Sequence, residues 1–204
     1  SSVHYHGRKA RRALEESRLN VAALCGAKPS CVTFTSGGTE SNNLAIMGSG
    51  RKRILISSIE HPSVSAACQD PVVIPVNRNG IIDLTALSIA LESDTTPALV
   101  SVMLANNETG VIQPISDISS IASRHGALVH CDAVQAVGKL EVDISQLGAD
   151  FLSLSAHKIG GPAGCGALLT KDNHMYSAVL KGGGQELSLR SGTENLMGVA
   201  GFGV

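Results

Sequence analysis

Lys158 is the residue whose setting points most directly to covalent chemistry. It closes the run Phe151-Leu152-Ser153-Leu154-Ser155-Ala156-His157-Lys158, in which an apolar, strand-like segment ends in small polar residues. A break at Gly160-Gly161-Pro162 follows. A lysine kept for solubility sits among other charges on a helix face, whereas this one follows a segment that reads as buried. Its amine is expected to be partly desolvated, which favours the neutral nucleophile. The chemistry that needs such an amine is Schiff-base formation with a carbonyl group. By itself the Ser-x-His-Lys pattern is more often that of an ordinary strand-end lysine than of a catalytic one.

Other polar residues fall at similar places. Ser36-Gly37-Gly38-Thr39-Glu40 stands between a β-branched run, Cys31 to Thr35, and a helical Leu44-Ala45-Ile46-Met47. A strand, a glycine turn and a helix start in that order make an anion site, because free N–H groups and the positive dipole end converge there. The run is neither G-x-G-x-x-G nor G-x-x-x-x-G-K-[ST], so a plain turn with a helix cap competes with phosphate binding. His61 lies just past the strand-like Arg53 to Ser58, in Glu60-His61-Pro62. Asn107 belongs to Asn106-Asn107-Glu108-Thr109-Gly110, after the continuous apolar run Ala98 to Leu104. Asp132 and Gln135 follow Ala127 to Cys131; an aspartate there needs a cationic or hydrogen-bonding partner, or caps a helix. Gly182-Gly183-Gly184-Gln185-Glu186 and Arg190-Ser191-Gly192-Thr193-Glu194-Asn195 read as a mobile functional loop rather than core.

The elements that must position these residues alternate between the two periods. Val3 to about Cys25 is helical, its Arg8, Lys9, Arg11 and Arg12 offset by Glu15 and Glu16 on a solvated face. Val72 to Val76 reads as a strand, Asp83 caps a helix through Leu91, and Ile115 to His125 is an amphipathic helix ended by Gly126. Residues 145–148 read as a connector, and Gly166 to Thr170 as a return strand that could pair antiparallel. The expectation is an α/β fold, three-layered, with a mostly parallel and predominantly buried sheet.

Composition narrows the partners. The 204 residues are 43% hydrophobic, with 16 basic and 17 acidic side chains, enough for one sizeable core and without a general pull toward nucleic acid or an anionic membrane. There is neither a bilayer-length apolar run nor a signal-peptide pattern at Ser1-Ser2-Val3-His4. The five cysteines, Cys25, Cys31, Cys68, Cys131 and Cys165, form no C-x-x-C pair and read as buried thiols rather than bridges or metal ligands. A cytoplasmic, reducing location is expected.

Taken together, these groups supply what pyridoxal phosphate requires: an anion cradle, an acid for the pyridine nitrogen, a ring-stacking group and an amine for the aldehyde. The ordered string Ser-Gly-Gly-Thr-Glu, Glu-His-Pro, Asn-Asn-Glu-Thr-Gly, Asp-Ala-Val-Gln, Ser-Ala-His-Lys, Gly-Gly-Gly-Gln-Glu and Arg-Ser-Gly-Thr-Glu-Asn closely resembles the cysteine desulfurases. These are class V aminotransferase-like, fold-type I pyridoxal phosphate enzymes that take sulfur from L-cysteine for iron–sulfur clusters. The resemblance implies that Lys158 holds the cofactor covalently and later moves the substrate proton, and that His61 stacks on the ring and assists protonation. It implies further that Asp132 pairs with the ring nitrogen and that Gln135 and Asn107 address the ring oxygen and the substrate. Gly38, Thr39, Ser155 and His157 would hold the phosphate, and Thr193 would reach the phosphate of a neighbouring subunit in a homodimer. A sulfur-acceptor or scaffold protein is the implied partner.

The resemblance also marks departures. The family's catalytic cysteine and substrate-carboxylate arginine lie downstream of Arg-Ser-Gly-Thr, and its opening strand precedes Val3. Residues 1–204 are therefore expected to be the pyridoxal phosphate-binding large domain, without the N-terminal strand and the C-terminal small domain. None of the five cysteines takes the nucleophile's place, and Cys165 stands where an apolar residue would suit. Selenocysteine lyase shares these motifs and is one alternative; a non-catalytic cofactor- or partner-binding fragment is another.

Overall fold

The computed structural model describes residues 4–173 and 175–204. In chain order its elements are α1 (Tyr5–Leu24), β1 (Val32–Thr35), α2 (Gly38–Gly48), β2 (Arg53–Ser57), α3 (Pro62–Ser65) and β3 (Val72–Ile74). Then come α4 (Leu84–Glu92), β4 (Ala98–Met103), α5 (Ile115–Arg124), β5 (Leu128–Asp132), α6 (Ile144–Leu147), β6 (Phe151–Ser155), β7 (Gly166–Thr170) and α7 (Leu196–Phe202). The start of the first helix expected at Val3 lies outside the described residues.

The strands form one seven-stranded sheet in the order β1-β7-β6-β5-β4-β2-β3. The β2–β3, β2–β4, β4–β5 and β5–β6 pairs are parallel, and β7 runs antiparallel between β6 and β1. The expected mostly parallel sheet with an antiparallel return strand is thus the observed one. Every residue of β4, β6 and β7 is buried, as a strand covered on both faces requires.

Two apolar cores account for the three layers. The larger joins Val100, Val102, Val129, Leu152 and Leu154 to Val21 of α1, Leu87 and Leu91 of α4, Ile118 of α5 and Phe202 of α7. The smaller packs Leu99, Phe151 and Leu168 on the opposite face against Leu44, Ala45 and Ile46 of α2, with Val64 of α3. Each fully buried Leu, Ile or Phe contributes about 1.5–3 kcal/mol of transfer free energy, so these clusters fix which face of each strand points where.

Some elements differ from expectation for local reasons. Residues 145–148 are not a bare connector: Asp143 Oδ1 accepts from the N–H groups of Ser145 and Gln146 and starts α6, which ends at Gly148 with φ +67°. α2 begins at Gly38 rather than at Leu44, because its first polar turn is anchored by contacts to the sheet. α7 was not anticipated, since Leu196–Phe202 carries glycines; Asn195 Oδ1 caps it by accepting from Gly198 N–H at 3.1 Å, and Val199 and Phe202 are buried.

The glycine-rich segment before α7 also departs from the expected mobile loop. Glu186 is 5% exposed, and Arg18 Nη1 and Nη2 donate to its two oxygens, each at 2.8 Å. Glu186, Leu187 and Ser188 have φ of +44°, +59° and +65°, a left-handed stretch unfavourable for L-residues without a tie of this kind. Part of the segment is therefore core.

Candidate functional site

Parallel strands deliver their C-terminal ends to one edge of a sheet, where α/β proteins place ligands. At that edge a cavity of about 370 Å³ is bounded by Gly38 and Thr39 from α2, His61 after β2 and Asn107 after β4. Asp132, Val134 and Gln135 from β5 and beyond, with Ser155 at the end of β6 and His157 and Lys158 after it, form much of the remaining wall. Residues far apart in sequence are thus brought together by topology alone.

The α2 end of the cavity is shaped by close backbone approach. A Cβ at Gly38 would meet Val134 Cγ2 at 2.6 Å, and one at Gly166 would meet Gly37 Cα at the same distance. Glycine at these positions lets the Ser36–Gly38 turn lie against β6 and β7. No side chain caps the first turn of α2, so its N–H groups remain available to an anion. Ser155 Oγ and His157 Nδ1 lie 3.0 Å apart on the adjoining wall.

Asp132 forms the buried floor. It is 6% exposed, and its Oδ2 accepts from Asn42 Nδ2 at 2.7 Å while Oδ1 accepts from Val134 N–H at 3.0 Å. Burial pushes its carboxyl above the usual aspartate range; those two hydrogen bonds, and then the charge of His61, pull it back only in part. Asn42 donates a second bond to Ser63 Oγ at 2.9 Å, and Ser63 Oγ lies 2.8 Å from His61 Nδ1. Ser63 N–H also donates to Nδ1 at 3.1 Å. Because Nδ1 accepts, the neutral ring carries its proton on Nε2. Asn42 and Ser63 therefore connect Asp132 to His61, and the reverse orientation of the Asn42 amide would set its oxygen against a carboxylate.

Lys158 sits in a short 3₁₀ turn, Ala156–Ile159, rather than at the strand's end. It is exposed, so the expected desolvation of its amine is not supplied by burial within this chain. The physical reason is position: the turn carries the side chain beyond the buried strand to the mouth of the cavity. Among the described residues its amine has no hydrogen-bond or ion-pair partner, whereas neighbouring Lys139 Nζ donates to the Gln135 carbonyl at 3.0 Å and to Gln135 Oε1 at 3.4 Å.

Comparison with known proteins agrees with this geometry. The chain matches the family Aminotransferase class-V from residue 1 to residue 204. It belongs to that family. It is 43% identical over 216 residues to the cysteine desulfurase IscS of Dictyoglomus turgidum, covering 100% of this chain and 54% of that protein. A solved NifS-like protein from Rickettsia africae superposes with a TM-score of 0.95 at 42% identity, over 100% of this chain and 59% of that one. A structure described as SspA in complex with cysteine gives 0.92 at 36% identity, over 100% and 62%. The chain spans about half the length of the curated relatives it matches.

As a class-V aminotransferase chain, it can be tested for fit to pyridoxal phosphate. An uncapped helix N-terminus with Thr39, Ser155 and His157 beside it suits a phosphate; Asp132, held by neutral donors alone, has capacity left for a cationic ring nitrogen; Lys158 is free to react. Asn42 Oδ1 is buried without a partner among the described residues, as polar atoms at a ligand site often are. The residues present fit the group.

Thr193 is the exception among the expected site residues. It lines a separate cavity of about 70 Å³ with Phe34, Thr35, Ser36, Glu186 and Arg190, so one chain does not bring it to the main cavity. Asn42 and Ser63 were missed by sequence reasoning. Asn42 lay inside the quoted Ser36 to Asn43 run, and its place one helical turn past Gly38 and Thr39 was the available signal.

The cysteines divide as expected. Cys25, Cys31, Cys131 and Cys165 are buried and Cys68 is partly buried. Burial pushes the Cys25 thiol up to about 12 and that of Cys165 to about 11, and raises those of Cys68 and Cys131. None of the five lines the main cavity. Among the described residues no helix is long and apolar enough to cross a membrane.

Proposed function

We propose that residues 1–204 are the cofactor-holding large domain of a pyridoxal phosphate-dependent cysteine desulfurase. The observation that carries the reading is the convergence of Thr39, His61, Asn107, Asp132, Gln135, Ser155, His157 and Lys158 on one cavity, in a chain similar throughout to cysteine desulfurases. When bound, the cofactor supplies an electron sink for negative charge developing at the substrate α-carbon.

This chain's residues then have distinct tasks. The α2 N-terminus, Thr39, Ser155 and His157 hold the phosphate. Asp132 keeps a cationic ring nitrogen protonated, and Asn42 and Ser63 hold Asp132 and His61 in register. The Lys158 amine would hold the cofactor at its carbonyl carbon and, when free, would accept the substrate α-proton at Nζ. His61 covers the ring face, while Asn107 and Gln135 orient ring and substrate. Thr193 serves a neighbouring subunit's site in a homodimer. A nucleophilic thiolate must come from elsewhere than Cys25, Cys131 and Cys165, whose buried thiols resist ionisation. The sulfur passes to an acceptor protein, and the free thiols suit a reducing, cytoplasmic location.

The test is product formation. The protein carrying this sequence, loaded with pyridoxal phosphate and given L-cysteine and a reducing dithiol, is expected to form alanine and sulfide in equal amounts. The dithiol supplies the two electrons and becomes the disulfide. Cofactor retention without alanine from cysteine would reject the desulfurase reading and leave the binding domain.

A further inference from the structure

Glu60 immediately precedes His61 but has no task in the account above. As a residue it is partly exposed, yet its carboxylate oxygen Oε2 is sealed from solvent and has no partner among the described residues. The other oxygen, Oε1, accepts from Ser57 Oγ and, at 3.0 Å, from the N–H of Met103. Met103 is the register partner of Asp132 in the β4–β5 pair. Close by, Asn106 Nδ2 donates to the carbonyl of Ile59 at 3.3 Å, a second tie between the same two loops.

Resting on the function proposed above, we propose that Glu60 is a positioning residue for His61. Its carboxyl fastens the loop between β2 and α3 to the end of β4 and, in its neutral form, leaves Asp132 as the charged carboxylate facing the cofactor ring. The neutral form follows from the geometry. Oε1 already takes both available donors, so a proton belongs on Oε2, where a buried anionic oxygen without a donor is strongly unfavourable. Burial, with the Ser57 and Met103 bonds opposing it and the charge of Asp132 adding to it, pushes the Glu60 carboxyl up to about 8.

The charged and titratable groups around it are Asp132 and Cys131 on β5, His61 on its own loop and Cys68 beyond α3. Arg78 and Glu108 border the adjoining groove. Ionisation of Glu60 would place a second negative charge beside Asp132 and His61. It would thereby strengthen protonation of His61 and compete with Asp132 for the cationic ring.

The experiment compares wild type, Glu60→Gln and Glu60→Ala in the protein carrying this sequence. Infrared difference spectra of the cofactor-free protein at neutral pH are expected to show a protonated-carboxyl band that Glu60→Gln removes. A folded state that holds this proton loses stability relative to the unfolded state as pH rises from the ordinary value of 4.5 to about 8. The Tm of Glu60→Gln should therefore climb relative to wild type across that window. With pyridoxal phosphate, Glu60→Gln should keep wild-type affinity, whereas Glu60→Ala should weaken binding about tenfold or more.

Absence of the band, a Tm difference flat with pH, or equal losses in the Gln and Ala variants would overturn the proposal. If wild type binds no pyridoxal phosphate, the functional reading fails, while the band and the Tm slope still decide the protonation of Glu60.

Discussion

Beside β1, Glu186 is 5% exposed and both its oxygens meet a guanidinium: Arg18 spans them at 2.8 Å each, and Phe34 N–H adds a third donor at the same distance. At the C-terminal edge of the sheet, Asp132 is 6% exposed and meets only an amide side chain and one backbone N–H. The burial is alike, but the partners are not. Arg18 donates also to the Val32 carbonyl at 2.7 Å and to Glu15 at 3.2 Å, and its guanidinium lies 4.9 Å from the Phe34 ring centroid. The first carboxylate is complete within the chain. The second has room for a cation, and the neighbouring Asn42 Oδ1 and Glu60 Oε2 have no partner among the described residues. For these two carboxylates, how completely the partners satisfy the group distinguishes site from scaffold more sharply than burial does.

Breaking the complete pair should have the largest effect on stability. Arg18→Met or Glu186→Gln leaves one buried charge uncompensated and should cost about 3–5 kcal/mol in urea unfolding, without changing cofactor affinity in the protein that remains folded. Equal losses of stability and affinity would erase the contrast between the two regions.

A second test uses His130, held between Ser101 Oγ at 2.8 Å and Ser153 Oγ at 2.9 Å in the middle of the sheet. Burial lowers it from 6.5 to about 3. The folded state then binds fewer protons than the unfolded state between these values. Stability should fall as pH drops through that window, by up to about 1.4 kcal/mol per pH unit, and a Tm profile against pH should lose this slope in His130→Asn.

Asp132→Asn should change stability by no more than about 1 kcal/mol at neutral pH, because it removes a charge whose burial is poorly compensated. It should nevertheless weaken pyridoxal phosphate binding about tenfold or more, measured by fluorescence titration. Since the Asp132 carboxyl is raised above 3.8, wild type loses stability as pH rises through and above that value, and the Asn variant should lack this dependence. The smallest effect is expected from Tyr176→Phe, which removes the 2.6 Å bond to Thr33 Oγ1 and should cost about 1 kcal/mol with no change at the site.

Much of this arrangement was legible before the coordinates. Ala98 to Met103 reads as a doubly covered strand because every position is apolar or small, and the polar residues at strand ends had to share an edge once the strands were parallel. What stayed hidden depended on partners distant in sequence. Nothing in the sequence singled out Arg18 within its charged helix, and Glu186 read as part of a glycine-rich loop; their pairing joins opposite ends of the chain. Asn42 and Ser63 are ordinary polar residues until the packing of α2 against α3 sets them between Asp132 and His61. The exposure of Lys158 was misjudged because a 3₁₀ turn after β6, not the strand itself, carries the amine.

The most direct test of the central claim is to trap the amine. The protein is loaded with pyridoxal phosphate, reduced with borohydride, digested and mapped by mass spectrometry, with Lys158→Ala in parallel. The account predicts the reduced cofactor on the peptide containing Lys158, and none in the variant. Modification of another lysine, or of none while the cofactor stays bound, would contradict it.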